Sequence, residues 1–243
     1  MDGSPKGIVC LPTGTGKTMI QAAYISRRIE NNPGFFIYVI NAPRIMLSYQ
    51  LLREIYQFLI SNGIEAKFCC VHSGGQSDMD DLEQIRTLTN RSLETPIPYS
   101  EILSGTSINV VLESITRAKS LNVPIIFFST YNSAERIQEG LNVSGDVIDT
   151  SVNDEAHYLV QERFHDILHT LNSNRCYFFT ATTIHTPSDK GRGMNNEESY
   201  GSIIYEMTPI EAIKRGKMVR PRMHYVISKS GGHYSREDFN KSL

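Results

Sequence analysis

The sequence has few of the features that mark secreted, zinc-binding or membrane proteins. It contains four cysteines in 243 residues, Cys10, Cys69, Cys70 and Cys176, and no two of them form a C-x-x-C pair. A zinc site is therefore not expected. Three of the four lie in apolar, strand-like runs, so buried and reduced thiols in a reducing cytosol are the simplest interpretation.

Long apolar runs and a strong net charge are also missing. No run approaches the roughly 20 residues that a membrane helix needs, and the N-terminal residues lack the pattern of a secretory signal. The net charge is -2, so a nucleic acid would have to bind in a local groove and not on a broadly basic surface. We expect a protein of the cytoplasm, the nucleoid or the interior of a virus-infected cell, without a membrane partner.

The chain instead alternates short apolar runs with stretches of helical periodicity. Helices are predicted over 18–30 and 47–60. Strands are predicted over 7–11, 35–40, 66–71, 125–129, 147–153 and 176–180. Continuous apolar strands separated by helices predict an α/β domain, with a mostly parallel sheet and helices on both of its faces.

Two polar stretches interrupt this alternation within a domain predicted over 1–228. Residues 78–121 contain Pro96 and Pro98 and are predicted to form a helical insertion. Residues 185–200 are polar and contain glycine, which is typical of a mobile loop. Residues 229–243 are predicted to be a tail, or a linker towards a further domain.

A glycine-rich loop follows the first predicted strand and has the sequence LPTGTGKT. Glycines let successive backbone N–H groups face a phosphate, and the helix that follows adds its positive N-terminal end. Lys17 would reach the β- and γ-phosphates of ATP, and the Thr18 hydroxyl would ligate Mg²⁺. Leu11 replaces the first glycine of the strict motif, and a plain turn before an ordinary helix is the alternative interpretation. The residues predicted to bind ATP are Pro12, Thr13, Gly14, Thr15, Gly16, Lys17 and Thr18.

An acidic box, NDEAH, follows the strand predicted over 147–153. Asp154 would hold Mg²⁺ and Glu155 would polarise the attacking water. An isolated Asp-Glu pair is more often a solvated surface feature, but the upstream phosphate loop favours a site. Thr180 and Thr182 follow the last predicted strand. All three motifs lie at strand ends, where parallel sheets place their active sites.

In this order and spacing, LPTGTGKT, NDEAH and TAT resemble motifs I, II and III of superfamily 2 DEAH-box helicases. The stretches 42–50, 72–75 and 128–133 resemble further motifs of the same domain, and 200–218 resembles the restriction-enzyme helicases. The chain thus resembles the first RecA-like motor domain of such a helicase, of the type I or type III restriction-enzyme kind or of the phage or virus kind.

The resemblance implies a RecA-like P-loop NTPase fold that uses ATP and Mg²⁺. Lys17 and Glu155 would act in catalysis, and Thr18 and Asp154 would hold the metal. Three residues would couple the state of the nucleotide to the grip on nucleic acid: His157, Thr180 and Thr182. Five would lie near the sugar-phosphate backbone: Pro43, Arg44, Gly74, Gly75 and Thr130. Arg44 could also be a solvated charge at a helix start, and Gly74 and Gly75 a plain turn.

The implied function is an ATP-dependent motor on nucleic acid, and the resemblance favours double-stranded DNA. An RNA helicase, a nucleotide-binding regulatory module without motor activity and a metabolic P-loop kinase are the alternatives, and the pairing of TAT with DEAH argues against the kinase. Such helicases have a second RecA-like domain that supplies arginines, and no Q-x-x-G-R-x-x-R stretch occurs here. We therefore expect a partner domain in the same or another chain, and weak ATP hydrolysis by this chain alone.

Overall fold

A computed structural model describes residues 5–74, 97–166, 170–187 and 191–220, and within them eight strands form one parallel sheet. The strands are β1 (Lys6–Cys10), β2 (Ile37–Ala42), β3 (Lys67–Val71), β4 (Leu103–Ser104), β5 (Ile125–Thr130), β6 (Ile148–Asn153), β7 (Ser173–Thr180) and β8 (Ser202–Glu206). Their order across the sheet is β4-β3-β5-β2-β6-β7-β1-β8. Every pairing is parallel.

Helices connect these strands. Among the residues that the structure describes, the long helices are α1 (Lys17–Asn31), α2 (Ile45–Ser61), α3 (Ile108–Leu121) and α4 (Ala134–Ser144). The short helices in these ranges are α5 (Glu162–His165), α6 (Glu197–Tyr200) and α7 (Pro209–Lys214). Turns of 3₁₀ helix lie at Tyr99–Glu101, Tyr131–Ser133 and Ala156–Val160. No helix in the described ranges is both long and apolar enough to cross a membrane.

Both faces of the sheet are buried, which explains the continuous apolar runs. Side chains along a strand point alternately to opposite faces. In β2, Tyr38 and Ile40 pack in the cluster that contains α1 and α2, whereas Ile37 and Val39 pack in the cluster that contains α3 and α4. The predicted parallel sheet with helices on both faces is therefore confirmed, and helices α1 and α2 agree with their predicted positions.

The described part of the predicted insertion, 97–121, belongs to the sheet and its covering layer. Strand β4 pairs with β3, with Leu103 opposite Cys69. Helix α3 begins where the Ser107 hydroxyl accepts a hydrogen bond from the backbone N–H of Asn109, and it buries Val111 and Ile115. The prediction of a helical insertion stays a prediction, and it does not include the short edge strand, which two prolines and many polar residues hide in the sequence. Residues 75–96 lie outside the described ranges.

The segment predicted as a mobile loop, 185–200, holds several defined contacts. The Thr186 backbone N–H donates to the side-chain oxygen of Asn195 at 3.0 Å, and the Asn195 amide nitrogen donates back to Thr186 O at 3.1 Å. Met194 and Tyr200 are buried in a cluster with Phe178. Residues 188–190 and 221–243 lie outside the described ranges, and with them the predicted domain end at 228 and the tail.

A buried ion cluster ties the end of helix α1 to the sheet. The carboxylate of Asp149 in β6 accepts hydrogen bonds from Arg28 at 2.9 and 3.3 Å and from Arg175 in β7 at 3.2 Å. Asp149 is buried, so these charge-assisted bonds compensate the cost of removing its charge from water. The cluster holds the helix that follows the glycine-rich loop against the strand that carries the acidic box.

Candidate functional site

The described site residues lie at the carboxyl ends of six neighbouring strands. The glycine-rich loop, the TAT stretch and the acidic box follow β1, β7 and β6, which we call the nucleotide half. The stretches around Arg44, Thr130 and Gly74 follow β2, β5 and β3, which we call the polymer half. The two halves meet where β2 pairs with β6.

The glycine-rich loop has a backbone that only glycine adopts without strain. Gly14 and Gly16 have φ of 80° and 95°, in the left-handed region. The Thr15 hydroxyl donates to Pro12 O at 2.7 Å and closes the turn. Gly16 caps helix α1 and has no side chain to bind the first backbone N–H groups of the helix. These groups and the helix N-terminus suit a phosphate, so the loop fits the predicted nucleotide.

Lys17 and Asp154 form a buried pair of opposite charges behind this loop. The Lys17 side chain is buried, and its Nζ lies 3.4 Å from Leu11 O. Asp154 is buried as well, and its Oδ1 accepts a hydrogen bond from Gln21 Nε2 at 2.8 Å. Burial raises the pKa of Asp154 to about 6, and the Gln21 bond and Lys17 act in the opposite direction. A buried carboxylate of this kind is a suitable oxygen ligand for Mg²⁺.

Glu155 has a different environment from its neighbour. Its backbone has φ of 49°, a left-handed conformation that costs a non-glycine residue on the order of 1–3 kcal/mol and tends to occur at functional sites. Its side chain is 25% exposed, so a water molecule can reach it. The Nδ1 atom of His157 lies 3.5 Å from Glu155 Oε2. The site therefore combines a buried carboxylate with an accessible one, which suits metal binding and proton transfer respectively.

The TAT stretch contacts both the acidic box and the loop. The Thr180 hydroxyl lies 3.2 Å from His157 Nδ1 and donates to the backbone oxygen of Thr182 at 2.8 Å. The backbone oxygen of Thr180 accepts a hydrogen bond from Leu11 N at 2.8 Å, at the start of the loop. The three residues predicted to couple nucleotide and nucleic acid therefore lie together, beside the phosphate cradle.

The polymer half brings together Arg44 and Gly74. Arg44 is exposed and precedes helix α2, next to Pro43. A Cβ atom at Gly74 would lie 2.7 Å from Ile45 Cγ2, so the close approach of this turn to α2 requires glycine. Thr130 is buried and its hydroxyl donates to Ser133 Oγ at 3.1 Å, so this hydroxyl is bound within the fold. Gly75 lies outside the described ranges.

Hydrogen bonds join the two halves at the seam between β2 and β6. The backbone N–H of Asp154 donates to Asn41 O at 2.8 Å, and Asn41 Nδ2 donates to Asn153 Oδ1 at 3.0 Å. Tyr131 follows β5, and its hydroxyl donates to the backbone oxygen of Asp154 at 2.6 Å. Gln21, Asn41 and Tyr131 were not among the predicted site residues. For Gln21 there was a signal, since it follows Lys17 by one helical turn and so faces the same side.

The family of type III restriction enzyme res subunits matches residues 2–185, more than half of the chain. The chain belongs to this family. Among solved structures, this chain is similar to a nuclease-deletion mutant of the type ISP restriction-modification enzyme LlaGI in complex with a DNA substrate mimic, at 22% identity and a TM-score of 0.66. It is also similar to the ATP-dependent type ISP enzyme LlaBIII bound to DNA, at 19% identity and a TM-score of 0.64.

The match covers 89% of this res-subunit chain and 19% of the LlaGI chain, and 88% of this chain and 14% of the LlaBIII chain. The chain thus spans less than a fifth of either structure. No protein among the curated sequences matches it. The family and the fold confirm the expectation of a RecA-like first motor domain of superfamily 2.

Proposed function

We propose that this motor domain hydrolyses ATP with Mg²⁺ and couples the hydrolysis to movement on double-stranded DNA. The observation that carries the proposal is the arrangement of Lys17, Asp154 and Glu155 at one sheet edge, contiguous with the exposed Arg44 and the tight turn at Gly74. DNA is favoured as the polymer because LlaGI was solved with a DNA substrate mimic and LlaBIII was solved bound to DNA.

The residues of the nucleotide half divide the chemistry among them. The loop N–H groups and Lys17 would hold the phosphates, and Thr18 and Asp154 would hold Mg²⁺, which neutralises phosphate charge when it is bound. Glu155 orients the attacking water and accepts its proton. Water then adds to the γ-phosphorus while the bond to the leaving ADP oxygen breaks. The accessible side chain of Glu155 beside buried Asp154 supports this division.

The contacts of His157, Thr180 and Thr182 support a coupling role. His157 lies close to both Glu155 Oε2 and the Thr180 hydroxyl, so a change at the γ-phosphate could alter which of the two it contacts. The DEAH-type identity of the box belongs to this proposal. The cleft would be completed by a second RecA-like domain, in this or another chain, whose arginine adds a factor of about 10³–10⁵ to the rate.

The test is ATP hydrolysis measured with double-stranded DNA, single-stranded DNA, RNA or no polymer. We expect slow hydrolysis by this chain alone, and stimulation by double-stranded DNA once a second motor domain is present. Stronger stimulation by RNA would indicate an RNA helicase. ATP binding with no response to any polymer would indicate a regulatory module. Robust turnover by this chain alone, abolished by Glu155→Gln, would contradict the need for a second domain.

Two variants and a control test the roles proposed for Glu155 and Lys17. Glu155→Gln should abolish hydrolysis but retain the binding of a fluorescent ATP analogue, because it removes the base and leaves the phosphate cradle. Lys17→Ala should weaken that binding itself. Glu162→Gln is the matched control, because its carboxylate is 90% exposed. Hydrolysis that persists in Glu155→Gln would contradict the assignment of the base.

A further inference from the structure

Tyr131 connects the two halves of the site through a single buried hydroxyl. It is the first residue after β5, and only 1% of it is exposed. Strand β2 lies between β5 and β6, so the Tyr131 side chain crosses the end of one strand, a span of about 10 Å between the two flanking strands. Its hydroxyl donates to the backbone oxygen of Asp154 at 2.6 Å. The acidic box is therefore bound directly by the polymer half.

The accepting oxygen belongs to the peptide unit that joins Asp154 to Glu155. A peptide unit is planar, so a hydrogen bond to its oxygen fixes the plane and thereby the backbone rotation at Glu155. That rotation is the left-handed one, with φ of 49°, which a non-glycine residue leaves readily unless the surroundings hold it. The N–H of Asp154 is held by Asn41 O and its carboxylate by Gln21. Of these three contacts, the Tyr131 bond is the one made to the peptide oxygen next to Glu155.

We propose that the Tyr131 hydroxyl is a positioning group that holds Glu155 in its hydrolysis-competent backbone conformation and links that conformation to the polymer half. This inference rests on the proposed function. The next residue, Asn132, is exposed, and Thr130 on the other side is bound to Ser133. A polymer that displaced this turn would therefore move the tyrosine that holds the catalytic peptide.

A purely structural role for Tyr131 is the competing explanation. Its ring packs in a cluster with Ala156, Leu159 and Phe164, with 6.0 Å between its centroid and that of Phe164. Tyr131→Phe keeps the ring and removes only the hydroxyl, so it separates packing from positioning. Tyr200 is a matched control: it is fully buried in the same cluster, and its hydroxyl also donates to a backbone oxygen, that of Arg192 at 3.3 Å.

The experiment compares Tyr131→Phe and Tyr200→Phe in this chain by hydrogen–deuterium exchange and melting temperature, and by DNA-stimulated hydrolysis with a second motor domain present. We expect Tyr131→Phe to raise amide exchange over 154–160, to lower kcat about tenfold, as the loss of one hydrogen bond would, and to leave the KM for ATP unchanged within about twofold. Stimulation by DNA should fall as well. Tyr200→Phe should leave exchange over 154–160 and kcat at their original values, with a similar change in Tm.

The inference would be overturned if amide exchange over 154–160 were the same in Tyr131→Phe as in the unsubstituted chain. It would also be overturned if the two variants raised that exchange equally, because this would show a general loosening of the cluster. Exchange does not require ATP or DNA. If the unsubstituted chain bound no ATP, the proposed function would fail, and the exchange comparison would still decide whether Tyr131 holds the Glu155 peptide.

Discussion

Asp154 and Glu155 share a peptide bond but lie in different surroundings, and these surroundings support the different roles that we propose for them. Asp154 is buried, and its burial raises its pKa to about 6. Glu155 carries the strained backbone and a side chain that is 25% exposed. A carboxylate that is removed from water gains more from a bound cation than an exposed one does, because bulk water no longer screens its charge. The accessible carboxylate is the one that can exchange a proton with water.

Gln21 provides a test of how the buried carboxylate is tuned. Its hydrogen bond lowers the pKa of Asp154 and so favours the ionised form. Gln21→Met keeps the length of the side chain but removes the donor, so the pKa of Asp154 should rise further above 6 in the absence of metal. We expect the Mg²⁺ concentration for half-maximal hydrolysis to rise about five- to tenfold at pH 7, as the loss of a charge-assisted bond would.

The sign of the pH dependence follows from the same pKa. A raised pKa leaves more Asp154 protonated at pH 6.5 than at pH 8, so the defect of Gln21→Met should be larger at the lower pH. The control is Gln50→Met, which removes an exposed bond to Glu54 on helix α2. A Mg²⁺ requirement equal in Gln21→Met and the original chain at both pH values would show that this bond does not tune the metal site.

At the scale of elements, the turn between β1 and α1 requires glycine because of its backbone conformation and not because space for a side chain is lacking. A Cβ atom at Gly14 would meet nothing within 4 Å, yet its φ of 80° disfavours any other residue. Gly63, in the turn after helix α2, has φ of 70° and also has nothing within 4 Å. The two glycines therefore impose the same kind of restraint, one at the phosphate cradle and one away from it.

Alanine at these two positions should separate stability from nucleotide binding. Gly14→Ala and Gly63→Ala should each lower the free energy of unfolding by about 1 kcal/mol, since both place a side chain in a left-handed conformation. Only Gly14→Ala should also lower the affinity for a fluorescent ATP analogue, by about tenfold or more, because it turns N–H groups away from the phosphate. Denaturant titration and equilibrium binding measure the two effects. Equal affinities for the ATP analogue in the two variants would contradict the assignment of the Gly14 loop as the phosphate-binding site.

Elements that are buried on both faces could be predicted from the sequence, whereas edge elements could not. Strand β2 is buried at all six residues, and its continuous apolar run was recognisable. Strand β8 exposes Ile203 and Tyr205, so its pattern resembles a surface segment, and no strand is predicted there although the stretch 200–218 resembles a family motif. In the site, Lys17 and Asp154 lie in local motifs. The Gln21–Asp154 bond joins residues 133 apart, and only the folded sheet brings them together.

At the scale of the whole molecule, the strand order separates the site into two halves and then joins them. Because β2 lies between β5 and β6, the end of β2 and the turn that follows β5 both reach the acidic box directly. Two of the contacts that join the halves end on the backbone of Asp154: its N–H donates to Asn41 O, and its oxygen accepts a hydrogen bond from the Tyr131 hydroxyl. Because both contacts hold the backbone of Asp154, displacement of either neighbouring strand end would move the peptide unit that begins the acidic box. This arrangement suits a motor in which polymer binding must reach the hydrolytic residues.

The division into halves predicts that polymer binding and basal hydrolysis can be altered separately. Arg44 is exposed at the start of helix α2 in the polymer half and is not one of the residues proposed to hold ATP. Arg44→Ala should leave basal hydrolysis unchanged but weaken DNA binding, and it should reduce the slope of log K against log salt by about one, as the loss of one phosphate contact would. Fluorescence anisotropy at several salt concentrations measures the slope.

The control for this prediction removes the same charge from the same helix. Arg53 lies two turns further along α2 and is partly exposed, so Arg53→Ala changes the net charge equally without altering the strand-end edge. It should shift DNA affinity only slightly and should not change the salt slope. If the two variants had the same slope as the original chain, or if Arg44→Ala lowered basal hydrolysis as much as DNA binding, Arg44 would not be a phosphate contact of a separate polymer half. The charge at the helix start would then be only a solvated one.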